Sequence, residues 1–289
     1  MTSFGMAKEK RIEIFKDTEA FIRKNPDLAS AVDRSIGQTI LYAADQYPEI
    51  GETPEAYRKI FVSKRRSFEA AMQAHKEFPD AKICVLNFAS ATNPGGGVVN
   101  GSSAQEESLC RCSTLYPVLK TDTLWQQYYG KNRANWNPLH TDDCIYTPGI
   151  VICKSDTNEP KRLPENQWVT VDVISCAAPN LRKRPGNMHN QEYGAPVSIT
   201  KGELYDLHLK RAKHILHIAA ANHVNTMILG AFGCGAFAND PETVASAMRD
   251  ATEEYRRYFQ QIEFAVYCSP RDHKNYDVFR KNVGESVIL

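Results

Sequence analysis

Apolar residues recur at two different periods along this chain, and the period changes near residue 80. Up to that point the pattern is helical. Asn25-Pro26-Asp27 reads as an N-cap with proline at the first helical position, and Thr53-Pro54-Glu55 repeats the signal. A third helix is predicted from about Arg65 to Phe78, where Phe68, Ala71, Met72, His75 and Phe78 fall at helical spacing. Beyond Ala81, short apolar runs alternate with amphipathic stretches. The runs Lys82–Phe88, Ile145–Cys153, Trp168–Cys176, Thr226–Leu229 and Glu263–Cys268 predict strands. Ala104–Tyr116, Gly202–Asn222, Pro241–Phe259 and Lys274–Asn282 predict helices. The Gly202 helix carries Leu204, Leu207, Arg211, Ile215, Ile218 and Ala219 on one side, and Thr200 with Glu203 forms a capping box at its start. Strands alternating with helices imply an α/β domain on a largely parallel sheet, residues 81–289, with a helical N-terminal extension, residues 1–80, packed on it. Ligands of such sheets bind beyond the carboxyl ends of the strands.

Composition narrows the class of partner. The 289 residues include 35 basic and 34 acidic ones, a formal net charge of +1. That balance argues against direct nucleic-acid binding or an anionic membrane surface, and leaves room for a small anion in a local pocket. No apolar run reaches the roughly 20 residues that span a bilayer, and Met1–Lys10 has no apolar leader core. The expected setting is the cytoplasm, with a monomer as the default state. None of the eight cysteines has C-x-x-C spacing, and several sit inside apolar runs. They read as small buried hydrophobes. His208, His214 and His217 share a helix without an acidic or cysteine partner at ligand spacing, so no metal site and no cofactor is expected.

The candidate chemistry lies in two glycine-rich loops at strand ends. The first runs from Asn87 through Ser90 and Asn93 to Gly95-Gly96-Gly97, and Gln105-Glu106-Glu107 follows at the start of a predicted helix. Consecutive glycines let backbone approach a ligand, and their N–H groups can cradle phosphate oxygens. The second loop is Gly230–Phe237, and it feeds a helix capped by Asn239 or Asp240 with Pro241. Structural readings stand beside these. Ser103-x-x-Glu106 is a capping-box pattern, and Glu107 in a first helical turn complements the helix dipole. Two further segments have double readings. The aromatic stretch with Trp125, Tyr128, Tyr129 and Trp136 is either a lid or a packed surface loop. Arg182-Lys183-Arg184 is either a solvated loop or a contact for a polyanion. Two glycine loops with a paired carboxylate are what cleavage of a sugar bond beside a diphosphate requires.

These residues resemble a known family. Gly95-Gly96-Gly97, a spacer, then Gln105-Glu106-Glu107 is similar to the signature of poly(ADP-ribose) glycohydrolases, and Asn87-Phe88-Ala89-Ser90 through Asn93-Pro94-Gly95 resembles their microbial branch. The Gly233–Phe237 loop looks like the family's diphosphate loop, and Ala177-Ala178-Pro179-Asn180 looks like its strand-end motif. The resemblance implies a three-layer α/β/α macrodomain with a mixed, largely parallel sheet, and no metal. It makes Glu107 the catalytic acid/base and Glu106 its ribose-binding neighbour. It puts Gly95, Gly96 and Gly97 against the diphosphate and distal ribose. Gly233, Cys234, Gly235 and Ala236 fall on the other side of the diphosphate, and Phe237 falls on the adenosine part. Gln105, Asn87, Ser90, Asn93 and Asn180 complete the expected binding set. Ser90 departs from the asparagine of animal-type members, with Asn93 as a substitute ribose contact. The implied partners are poly(ADP-ribose) or ADP-ribosylated macromolecules, with ADP-ribose as product. A mono-ADP-ribosyl hydrolase and a non-catalytic ADP-ribose reader are the alternatives. A dinucleotide oxidoreductase lacks its G-x-G-x-x-G fingerprint here.

Overall fold

The computed structural model describes residues 7–51, 58–135, 137–186, 195–269, 272–284 and 286–288. Helices α1 (Lys8–Lys24) and α2 (Pro26–Gln38) come first, then strands β1 (Ile40–Tyr42) and β2 (Arg58–Ser63), and helix α3 (Ser67–Glu77). Strand β3 (Ile83–Phe88) leads into α4 (Gln105–Cys112), α5 (Leu115–Leu119), α6 (Asp122–Leu124), a π-helical turn at Trp125–Tyr129 and α7 (Gly130–Asn135). The chain continues through β4 (Cys144–Ile152), β5 (Val169–Cys176), α8 (Lys201–Ala221), β6 (Thr226–Leu229), α9 (Pro241–Tyr255), β7 (Gln261–Ala265), α10 (Lys274–Val283) and β8 (Ser286–Ile288).

The strands form one sheet in the order β1-β4-β5-β3-β6-β7-β2-β8. Its centre, β5-β3-β6-β7-β2, is parallel, while β1, β4 and β8 join antiparallel. Alternation along the strands divides the core between two faces. Ile83 and Val85 of β3 pack with Phe15, Leu28, Phe68 and Leu109 of the early helices. Cys84 and Leu86 pack with Ile215, Ala219, Val244 and Phe279 of α8, α9 and α10. The result is a three-layer α/β/α sandwich. Six of the eight cysteines are buried and all are free thiols. Among the described residues no helix is long and apolar enough to cross a membrane.

The first eighty residues are not helical alone. Strands β1 and β2 lie within them and pair with β4 and β7, so the main sheet crosses the expected boundary. Strand β1 has three residues, too few to show a period, and Arg58 and Lys59 open β2 with charge. The Thr53-Pro54-Glu55 signal lies outside the described residues. Asn25 does cap α2, accepting from Asp27 and Leu28 N–H at 3.0 Å each. The capping box of Thr200 and Glu203 also forms. The predicted Ala104–Tyr116 helix breaks after Cys112, because Ser113 forms a bridge to Ile152 at the end of β4. Strand β7 starts two residues earlier than expected and ends at Ala265.

Candidate active site

A cleft of about 1460 Å³ opens over the carboxyl ends of β5, β3, β6 and β7. Glu106 and Glu107, in the first turn of α4, line it. The Ser103 capping box does not form: Ala104 takes the N-cap position without a side-chain cap. Instead the Glu106 carboxylate turns toward the β3 loop. Its Oε2 accepts from Ser90 N–H at 2.8 Å and its Oε1 from Asn87 Nδ2 at 3.3 Å. Glu106 is 3% exposed. Burial pushes its carboxyl well above the ordinary range, and the neighbouring Glu107 charge adds to that, against hydrogen bonds from Ser90, Asn87 and Gly95 that lower it.

Glu107 is held at one oxygen only. Its Oε1 accepts from Gly97 N–H at 2.9 Å, while its buried Oε2 has no hydrogen-bond partner among the described residues. A buried acceptor left unsatisfied costs stability and points to a missing partner. Both carboxylates converge on Gly96. A Cβ there would lie 2.6 Å from Glu107 Oε1 and 3.0 Å from Glu106 Oε2, on a residue with φ of +58°.

The two glycine loops do different things. The N–H groups of the first are occupied inside the protein. Gly95 bonds Glu106, Gly96 bonds Asn93 O, Gly97 bonds Glu107 and Val98 bonds Gly95 O. The expected phosphate cradle is therefore absent there, because the turn aims its donors at the carboxylates and backbone. In the second loop Gly235 and Ala236 are exposed, and no acceptor among the described residues takes their N–H groups. Asn239 fastens this loop through Nδ2, which donates to Pro179 O at 2.7 Å and Gly233 O at 3.1 Å. His208 in turn donates from Nε2 to Asn239 Oδ1 at 2.8 Å.

Of the expected binding residues, Gln105, Ser90, Asn93, Gly96, Gly97, Gly233, Gly235, Ala236 and Phe237 line the cleft. Gly95, Asn87, Asn180 and Cys234 do not. A Cβ on Gly95 would strike the Tyr116 ring at 2.6 Å, so that glycine serves packing. Asn87 is buried beneath Glu106 and donates to Ser175 Oγ at 2.9 Å. Asn180 is buried and accepts from Arg182 Nε at 3.0 Å. Cys234 faces a separate cavity of about 580 Å³ behind the loop. Gln105 reaches the cleft, but its amide bridges Phe88 N–H, Leu86 O and Ser67 Oγ at 2.8–3.0 Å. Asn93 Oδ1 accepts from Arg133, and its Nδ2 donates to Thr92 Oγ1 at 3.2 Å. Arg182 lines the cleft, while Lys183 and Arg184 are exposed outside it. Trp125 lines it too, and Trp136 lies outside the described residues.

The structure adds residues that sequence reasoning missed. Tyr267 follows β7, is 47% exposed and has the Arg66 guanidinium 4.0 Å from its ring centroid. Both line the cleft at the end away from Phe237, which sits near His140 and Arg182 beside the end of β5. Only the sheet order brings Tyr267 there. The helical histidines have structural partners. His214 bonds Asp142 O and Gln46 O, and His217 bonds Pro48 O and the Tyr255 hydroxyl. Among the described residues no group of three or more His, Cys, Asp or Glu is placed to hold a metal ion.

A family model described as microbial-type PARG, catalytic domain, matches residues 9–155. The chain is similar to the crystal structure of poly(ADP-ribose) glycohydrolase from Thermomonospora curvata. That match has 25% identity and a TM-score of 0.79, over 95% of this chain and 99% of that one. A form of that protein bound to the inhibitor ADP-HPD matches with TM-score 0.77 and 25% identity, over 94% and 99% of the two chains. The enzyme from Deinococcus radiodurans in complex with ADP-ribose matches with 30% identity and TM-score 0.70, over 87% of this chain and 96% of that one. A search of the curated proteins finds no match. Family model, fold and the convergent glutamates agree, and this chain belongs to the microbial-type poly(ADP-ribose) glycohydrolases.

Proposed function

We propose that this chain hydrolyses the ribose–ribose glycosidic bonds of poly(ADP-ribose) and releases ADP-ribose, working as a cytoplasmic monomer. The observation that carries this is the cleft-lining Glu107 carboxylate, with one oxygen fixed by Gly97 N–H and the other buried without a partner among the described residues. A leaving ribose oxygen is a partner that fits.

Cleavage of such a bond passes through an oxocarbenium-like state. Glu107, in its protonated form, donates to the departing ribose oxygen as the bond to the anomeric carbon breaks. The resulting carboxylate then takes a proton from water as that water attacks the same carbon. Glu106, held by Ser90 and Asn87, fixes the distal ribose beside it.

The unoccupied N–H groups of Gly235 and Ala236 take the diphosphate. The side-chain-free Gly96–Gly97 edge forms the facing wall. Phe237 lies at the β5 end with the glutamates' strand neighbours, so it packs on the distal ribose. The adenosine extends the other way, toward Tyr267 and Arg66. This reverses the placement of Phe237 on the adenosine part.

Glu107→Ala tests the reading. General acid–base catalysis contributes about 10²- to 10⁴-fold. The variant is expected to lose at least about 100-fold in ADP-ribose release from polymer, while calorimetry shows retained ADP-ribose binding. Turnover near wild type would remove Glu107 from the role.

A further inference from the structure

We propose that Trp125, backed by Arg133, forms a leaving-side subsite that stacks the adenine of the next ADP-ribose unit, the one from which the product is cut. The inference rests on the glycohydrolase reading and deepens it, because it assigns the polymer as the substrate the cleft is shaped for.

The geometry begins at the π-helical turn Trp125–Tyr129, closed by Gly130 N–H to Trp125 O. π turns inside helices frequently mark functional sites. This one sends Tyr128 and Tyr129 into the core, 2% and 0% exposed, and leaves the Trp125 ring 41% exposed on the cleft. The Arg133 guanidinium lies 4.8 Å from the Trp125 ring centroid. Arg133 also donates from Nε to Thr92 O at 2.9 Å and from Nη2 to Asn93 Oδ1. The ring is therefore anchored to the same loop whose Ser90 N–H holds Glu106. One face of the indole is covered by a cation, and the ring stays open to the cleft.

Position and chemistry select the occupant. With the diphosphate at Gly235 and Ala236 and the distal ribose at Glu107, the scissile bond points away from the second loop, toward Asn93 and Trp125. In the polymer the departing oxygen is the 2′-oxygen of an adenosine. Its adenine is attached to the adjacent ribose carbon and cannot lie far from the cut. A side-chain hydroxyl or carboxylate of a modified protein brings no such base. An exposed aromatic ring stacks any base by its π-face. Arg133 and Lys120, with Asp122 beside them, leave this rim with a net positive charge for the following diphosphate.

The test uses the Glu107→Ala protein, which holds substrate without cutting it, and compares calorimetric affinities for ADP-ribose and a purified ADP-ribose dimer. The dimer is expected to bind about tenfold more tightly, as one stacked base provides. Trp125→Ala in the same background abolishes that preference, and Trp125→Phe, which keeps a ring, retains most of it. Equal affinity for dimer and monomer overturns the subsite. So does a preference that survives Trp125→Ala, or a loss of monomer affinity as large as that for the dimer. A Glu107→Ala protein that binds neither ligand overturns the glycohydrolase reading itself, and the subsite with it.

Discussion

At the scale of single residues, the site turns on a backbone position with no side chain. Gly96 adopts φ of +58°, and an added Cβ would sit within 3.0 Å of both glutamate carboxylates. A methyl group there strains the backbone and displaces the acid. The strain of a non-glycine residue in this region is about 1–2 kcal/mol, whereas a displacement near 1 Å at a reacting group costs roughly 100-fold in rate. Gly96→Ala is therefore expected to fold with a modest drop in urea-unfolding free energy and to lose about 100-fold in kcat. A stability loss without that kinetic loss would mean the carboxylates tolerate being moved. The triple glycine and the Gln-Glu-Glu run were legible as residues, since their types and spacing are local. The directions of their atoms were not. Ser103 and Glu106 satisfy a capping pattern that Ala104 takes over, and the first loop's N–H groups turn inward where phosphate binding was expected.

At the scale of elements, strands β3 to β6 were legible because both faces are covered, so each reads as a largely continuous apolar run. Strands β1 and β2 were not, being short or opened by charge, and they join the sheet through tertiary pairing. Helix α8 shows the same limit within one element. Arg211 falls on its apolar side by spacing, and it is fully buried there. Its Nε donates to Asp142 Oδ1 at 2.8 Å, and its other nitrogens donate to Ala177 O at 2.6 Å and Leu139 O at 3.1 Å. One guanidinium thus ties α8 to the loop after β5 and to the segment before β4. Removing one partner of a buried ion pair costs about 3–5 kcal/mol, although Lys210 stays 3.0 Å from Asp142 and offsets part of it. Arg211→Met should lower unfolding free energy by about 3 kcal/mol in urea titrations. Arg211→Lys should not restore it, because an ammonium cannot reproduce the planar fork. Recovery with lysine would show that charge alone matters at this position.

At the scale of the whole molecule, stability and the ligand loops share two buried histidines. Desolvation depresses His140 and His208 from 6.5 to about 4, against hydrogen bonds to Ala178 O and Asn239 that favour the charged forms. Both rings are therefore neutral in the fold, and both touch segments that line the cleft. A histidine depressed in the folded state stabilises it above the unfolded value of 6.5, and that contribution is lost as pH falls toward 4. Glu106 and Asp156 act in the opposite sense. Burial raises both carboxyls, so the penalty for ionising them is relieved as pH falls. Total stability mixes these signs, so a single histidine has to be isolated by difference. Between pH 7.5 and 5 the wild-type protein should lose about 2 kcal/mol more unfolding free energy than His208→Gln, the amount linked to protonating one ring with these two values. ADP-ribose binding to the folded protein should respond alike in both over the same range, because the ring stays neutral above about pH 4 and keeps its bond to Asn239, which holds the diphosphate loop. Parallel pH profiles of unfolding free energy for the two proteins in urea titrations would show that His208 is not the group whose protonation destabilises the fold.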